Sequence, residues 1–349
     1  MRDKRNQYLD IIKACSCVMV VYVHSCNLFG YAKSSNLLPA LSMLSSCGVR
    51  IFFAVSGYLS ISLMGNSYFD VIKKKFKSLL IPFVIWNFVY LIFEIIGHSI
   101  MPDAFENIAK WTLKDFCLNL FGIPFVQSSL YSPLWFVREL LILFLIYPII
   151  VLCVKHIPTV ILCIIFVTIL VIDMPDFYAN GYYLKSSIPF FTLGLWIAMN
   201  QDSERENKLA LICSKKEIVI GATFVAIVLS YVRQLYEHTD MIKSVLTYLS
   251  VFLFFPMIFW FGKYVEKTGG ALSKLFLIIS QYSFMIFVLH GKLLSIIQIL
   301  CTRMIVQNNL ILCMEYILLP MVVITIVILV SKFLSKRVPN MYRFLTGGR

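Results

Sequence analysis

The chain is expected to be an all-α polytopic membrane protein: about ten transmembrane helices, both termini cytoplasmic, one membrane domain over residues 1–349. Three observations carry this. Of the 349 residues 60% are hydrophobic and only 14% charged, with mean hydropathy +0.84, against about 25% charged in an ordinary soluble domain. Apolar runs near the roughly 20 residues that cross a bilayer recur along the whole sequence. The basic residues are also asymmetric. Threaded from the inside, ten spans leave 20 Lys and Arg on the starting side and 6 on the other, the latter being Lys33, Lys110, Lys114, Lys185, Lys243 and Arg303. By the positive-inside rule both ends then lie in the cytoplasm, and the net charge of +13 is a topology signal rather than a nucleic-acid footprint.

The first run, near residues 8–29, contains Asp10 and Lys13 and is too long for a cleaved leader, so it is read as a retained span. Lys13 and His24 are eleven residues apart. At 3.6 residues per turn they share a helix face about 16 Å apart along the axis. Lys13 reads either as a snorkelling ammonium or as a functional cation, and Asp10 can pair with it three residues earlier. His24 reads either as a core histidine satisfied by a carbonyl or as a general base.

The second run (43–65) carries Arg50 in its outer half and Ser56-Gly57 deeper, a pair that allows close packing or a slight kink. It leads to Lys73-Lys74-Lys75-Phe76-Lys77, which either contacts anionic headgroups or grips the phosphates of a soluble donor. After the third run (77–97) comes the longest loop, 98–133. Phe105, Ile108, Phe116 and Leu120 among Glu106, Lys110, Lys114 and Asp115, with Trp111, suit a helix in the outer interface, as an anchor or as a lid.

The fourth run (134–154) opens with Leu134-Trp135-Phe136 and holds Arg138 and Glu139. Neighbouring helical residues diverge by about 100°, so at least one of those charges faces the bundle. The fifth and sixth runs (158–173, 186–200) are short, and the seventh and eighth (216–235, 244–262) are apolar. The ninth (276–300) carries Tyr282-Ser283 and places His290 at nearly the depth of His24, and the tenth is 308–333. The ten Cys include no CxxC pair; most read as small apolar groups, with a Cys26 to Cys47 disulfide left open.

A charge at mid-membrane costs about 2.5–3.5 kcal/mol on insertion scales, so such residues tend to face a cavity and serve function. His24, Arg50, Arg138, Glu139 and His290 fall in the outer half, while Lys13 and the lysine cluster lie toward the cytoplasm. The pattern suggests a route from an anionic cytoplasmic compound to an outward-facing reaction site. No Walker motif, HExxH, GxSxG or ligand-spaced Cys/His set is present.

At these residues the chain resembles the membrane acyltransferase-3 family of bacterial O-antigen and exopolysaccharide O-acetyltransferases. Leu9-Asp10-x-x-Lys13, ten residues and His24 is similar to its Arg-x10-His signature; Gly48-Val49-Arg50-Ile51-Phe52-Phe53 with Ser56-Gly57-Tyr58 is similar to its second-helix motif. Lys73 to Lys77 followed by Pro82, Leu134-Trp135-Phe136, and Tyr282-Ser283 with His290 are similar to later blocks. Lys13 departs from the family's more frequent Arg, keeping the charge but losing the bidentate fork.

The resemblance implies a multi-pass enzyme of the cell membrane, here the bacterial inner membrane. It implies no bound cofactor or metal, acyl-CoA (acetyl-CoA in the first instance, succinyl left open) as donor substrate, and a glycan or glycolipid hydroxyl of the envelope as acceptor. His24 would be the base, Lys13 with Lys73, Lys74, Lys75 and Lys77 would hold the donor, Arg50 would steady an oxyanion, and Glu139 would orient the acceptor or pair with Arg50 or Arg138. Asp10, Ser56, Trp135, Arg138, Tyr282 and His290 would support them. The competing class is a transporter or exporter of a glycan or small anion, whose polar residues line a passage; a membrane sensor without turnover is a third.

Overall fold

Helix α1 (Gln7–Leu28) is the axis of the bundle in the computed structural model, which describes residues 7–28, 37–100, 111–115, 132–171, 182–200, 215–235, 240–304 and 309–348. Ile11, Ile12, Ala14, Cys15, Ser16, Cys17, Val20 and Val21 are all buried, so α1 is enclosed on nearly every side, as expected of a helix apolar all round. The following helices are α2 (Leu37–Ser45), α3 (Cys47–Ser60), α4 (Tyr68–Lys75), α5 (Ile81–Ile100), α6 (Trp135–Leu145), α7 (Tyr147–His156), α8 (Thr159–Val171) and α9 (Tyr182–Met199). Then come α10 (Lys216–Leu235), α11 (Asp240–Thr268), α12 (Gly270–Met304), α13 (Asn309–Arg337) and α14 (Pro339–Thr346). No strand occurs among the described residues, and the protein is an all-α multi-pass membrane protein.

Each of the ten apolar runs falls on a helix. Among the described residues seven helical stretches are long and apolar enough to cross a membrane, or eight if the bent pair α6 and α7 counts as one span. The fourth run is not straight: α6 and α7 meet at 62°. Pro148 at the start of α7 has no N–H for the carbonyl four residues back, so the helix cannot continue. The loose ends are tied elsewhere, since the Tyr68 hydroxyl donates to the Leu145 carbonyl (2.9 Å) and Tyr147 to the Ser60 carbonyl (2.8 Å). The fifth run, α8, has 13 residues, about 20 Å at 1.5 Å per residue and short of a full crossing. The sixth, α9, contains Pro189.

α1 packs against α2, α3, α11, α12 and α13. It runs parallel to α12: Asp10 meets Ser280, Cys17 meets Ser283 and His24 meets His290. α5 runs parallel to α12 on its other side, through Tyr90 to Val288 and Glu94 to Lys292. These directions agree with a chain in which the first, third and ninth runs point the same way.

Helices α3 and α9 touch backbone to backbone. A Cβ on Gly57 would lie 1.9 Å from the Phe191 carbonyl oxygen, and one on Gly194 would lie 1.8 Å from that of Ala54. Ser56-Gly57 therefore realises the close-packing reading, the small-residue contact of membrane helices. Gly194→Ala is expected to push the helices apart and destabilise the fold by about 1–3 kcal/mol or more, read as earlier thermal aggregation of detergent-solubilised protein.

The loop reading 98–133 is described at Trp111–Asp115 only beyond Ile100 and before Ser132; Phe105, Glu106, Ile108, Lys110, Phe116 and Leu120 lie outside the described residues. In that fragment Thr112 and Asp115 form a reciprocal cap, the carboxylate accepting from the Thr112 amide (2.9 Å) and hydroxyl (2.6 Å). The side-chain and backbone hydrogen bonds from Thr112 hold the Asp115 carboxyl below its usual range. Cys47 is a buried free thiol directed at the Val251 carbonyl (3.9 Å), so the disulfide is not formed; the side chain of Cys26 lies outside the described residues.

Candidate functional site

Two imidazoles meet between α1 and α12. The rings of half-buried His24 and fully buried His290 have centroids 4.9 Å apart and planes at 57°. His290 Nδ1 lies 2.8 Å from the Phe287 carbonyl and 3.1 Å from that of Ile286. Carbonyl oxygens only accept, so Nδ1 carries the hydrogen and Nε2 of the neutral ring presents a lone pair. That Nε2 is buried and takes no hydrogen bond among the described residues. A buried, unsatisfied acceptor facing a second histidine is costly unless something donates to it.

An aromatic wall closes one side of the pair. Phe287 stands 6.2 Å from His290 and 5.3 Å from Phe136, and Phe136 lies 5.6 and 4.7 Å from Phe52 and Phe53 (ring centroids). Trp135 flanks Phe53 at 6.1 Å. The Leu134-Trp135-Phe136 and Phe52-Phe53 segments, 80 residues apart in sequence, thus converge on the ninth run. Such a wall excludes water, which strengthens electrostatic interactions beside it.

One turn along α6 from Phe136, Glu139 is fully buried. Its Oε1 lies 3.4 Å from Arg138 Nη2, and its Oε2 accepts from the Ser187 hydroxyl at 3.3 Å. Of the two pairings open for Glu139, Arg138 is the one formed. Arg50 instead folds back on its own helix start: Nη1 donates to the Ser46 carbonyl (2.9 Å) and hydroxyl (2.8 Å), and the guanidinium lies 5.2 Å from the Tyr248 ring centre.

Toward the other end of α1, Asp10 accepts from the Ser280 hydroxyl at 2.9 Å. Lys13 is half-buried one turn from Cys17, and because α1 is one uninterrupted helix it stands about 16 Å from His24 along the axis. Tyr282 is buried on α12. The lysine cluster divides: Lys73, Lys74 and Lys77 are exposed, while Lys75 turns inward and sets its ammonium 3.8 Å from the centre of the Phe144 ring.

Four polar residues escaped the sequence reading: Glu94 and Lys292, paired between α5 and α12; Tyr90, donating to the Val288 carbonyl; and Ser187 on Glu139. Glu94 and Lys292 carried a usable signal, since both are charges inside apolar runs. Tyr90 and Ser187 carried none, because their partners lie on helices remote in sequence.

A helical bundle with several helices long and apolar enough to cross a membrane, and a histidine pair held between α1 and α12, is that of a multi-pass membrane protein. The chain belongs to the family described as the acyltransferase domain, whose model matches residues 6–335. It is also similar to the succinoglycan biosynthesis protein ExoH of Rhizobium meliloti (strain 1021), 28% identical over 162 residues, 44% of this chain and 41% of that protein. The similar region therefore spans less than half the length of that relative. No solved structure matches the chain.

Proposed function

We propose that this protein is an integral membrane O-acyltransferase that moves an acyl group from cytoplasmic acyl-CoA to a hydroxyl of an envelope polysaccharide or glycolipid. The observation that carries this is the contact of His24 with His290 at the far end of a helix that bears Lys13 three turns away. A polysaccharide acceptor is favoured by the relative, whose name places it in succinoglycan biosynthesis. Acetyl is the first donor to test and succinyl the second.

In the reaction, His24 takes the proton of the acceptor hydroxyl as its oxygen attacks the thioester carbonyl. The C–O bond forms, the C–S bond breaks, and the proton passes to the departing thiolate. His290, whose ring lies against that of His24, holds the imidazole of His24 in place. Lys13 and the exposed lysines Lys73, Lys74 and Lys77 attract the anionic donor, and Lys75 steadies the inner end of that cluster, while Arg50, turned to Ser46 and Tyr248, ties the start of α3 to α11. Glu139, oriented by Arg138 and Ser187, holds an acceptor hydroxyl. Asp10, Ser56, Trp135 and Tyr282 shape the helices that carry these groups. The chain is threaded with both termini on the cytoplasmic side of a bacterial inner membrane.

Membranes containing the protein, given acetyl- or succinyl-CoA labelled in the acyl group, are expected to place label on alkali-labile esters of envelope glycan. Absence of label from both donors would sink the reading. His290→Ala, which removes the ring packed against His24, is expected to lower kcat about 5- to 30-fold, equivalent to about 1–2 kcal/mol, and to move the acidic limb of the pH–rate profile while the donor KM stays near its starting value.

A further inference from the structure

The C-terminal helix α14 lies beyond the segment that the family model matches; it packs on α13 and α5, and its end meets the turn that follows the lysine cluster at Ser78. Between α4 and α5 the chain makes a π turn, Phe76–Leu80, that contains Lys77 and Ser78; such turns recur at functional sites. Pro82 has no N–H to return to the Ser78 carbonyl four residues back. Gly347 comes to that carbonyl instead. Its φ is +69°, and a Cβ there would lie 2.6 Å from Ser78 O and 2.8 Å from Pro82 Cγ, so only glycine fits. The Trp86 indole donates to the Leu345 carbonyl at 3.0 Å, and Tyr342 and Thr346 are buried. The Gly348 amide returns to the Arg343 carbonyl at 2.7 Å, closing the helix in a Schellman turn. Arg343 itself is exposed, one helical turn before the glycine that meets the π turn, as are Lys73, Lys74 and Lys77.

We propose that α14 is a strap that sets the π turn carrying Lys77 and completes, through Arg343, a cationic rim for the phosphates of the acyl donor. This rests on the acyl-CoA reading above. The ligand chemistry is a nucleotide with a pyrophosphate and a ribose phosphate: several anionic oxygens at fixed spacing, which a planar guanidinium engages bidentately while lysines act as point charges. The left-handed glycine fixes the strap on the turn that carries Lys77, and the indole hydrogen bond fixes it on α5 just beyond.

The test uses the full chain in detergent and then in nanodiscs, with CoA as the probe for calorimetry and labelled acyl-CoA for turnover. Arg343→Gln is expected to weaken CoA binding and raise the donor KM five- to tenfold while kcat moves less than twofold, and Arg343→Lys to recover part of the loss. Gly347→Ala, which displaces the strap from Ser78, is expected to raise the donor KM by a similar factor. If the parent binds CoA and Arg343→Gln binds it equally well, the strap proposal is overturned although the donor reading stands. If the parent itself binds no CoA, it is the donor reading that has failed and the strap proposal falls with it. Should Arg343→Gln alter only the dependence of turnover on phosphatidylglycerol in the nanodisc, leaving CoA binding intact, the rim serves lipid headgroups and the proposal is wrong.

Discussion

His24→Ala is expected to reduce acyl transfer by about 10²- to 10⁴-fold, the range general-base catalysis contributes, with the donor KM nearly unchanged. The proposed mechanism asks His24 to act only as the acceptor hydroxyl attacks, so its loss should appear in kcat and not in ground-state binding. Its position supports that assignment. It is half-buried, whereas His290 is fully buried and tied to the carbonyls of its own helix. The two histidines therefore fit the roles read from the sequence, His24 as base and His290 as its support. His24→Gln, which keeps a hydrogen-bonding side chain of similar reach but no base, should be as inactive as alanine. Initial rates with labelled acyl-CoA, at matched protein levels in the membrane, check both. Label transfer by His24→Ala at the parental rate would remove the imidazole from the chemistry.

Much of this centre is legible in the sequence, and the reasons are physical. Hydropathy marks a membrane helix because an unpaired peptide group has no partner in lipid, which is why all ten apolar runs fall on helices. Depth follows from counting residues along a helix, so His24 and His290 were placed at one level before they were seen to touch. The division within the lysine cluster is also implicit in helical geometry. At 100° per residue Lys73, Lys74 and Lys77 fall within one arc and Lys75 opposite, and Lys75 is the one that turns to Phe144.

What was not legible depends on which helices are neighbours. Arg50 offered a cation for the reaction site, yet its guanidinium folds toward Ser46 and Tyr248 because those acceptors stand one turn back and across on α11. The 62° bend had its cause in plain view at Pro148, but composition alone does not say whether a proline kinks a span or ends it. Lateral order in a membrane is set by packing of small residues and by polar contacts between helices, and neither leaves a local trace in the sequence.

The second large effect is expected at Glu94 and Lys292. Either single replacement, Glu94→Leu or Lys292→Leu, should destabilise the protein by about 3–5 kcal/mol, because it strands the partner's charge in the interior. The carboxylate is the better buried member, with 7% of its side chain accessible against 22% for Lys292, so Lys292→Leu should be the more damaging change. The double Leu variant removes both charges and should recover most of the loss, leaving a positive coupling in the double-mutant cycle. The pair joins α5 to α12 together with Tyr90 on the Val288 carbonyl, and His290 sits between those two ties on α12. Loosening α5 should therefore reach the reaction site as well: surviving Lys292→Leu protein should show a lower kcat even where it remains folded. Thermal unfolding of the four members of the cycle in one detergent measures the first effect, and turnover per folded molecule measures the second. A double variant whose loss equals the sum of the two single losses would mean that the ion pair does not clamp the two helices, and parental turnover in Lys292→Leu would separate the clamp from the placement of His290.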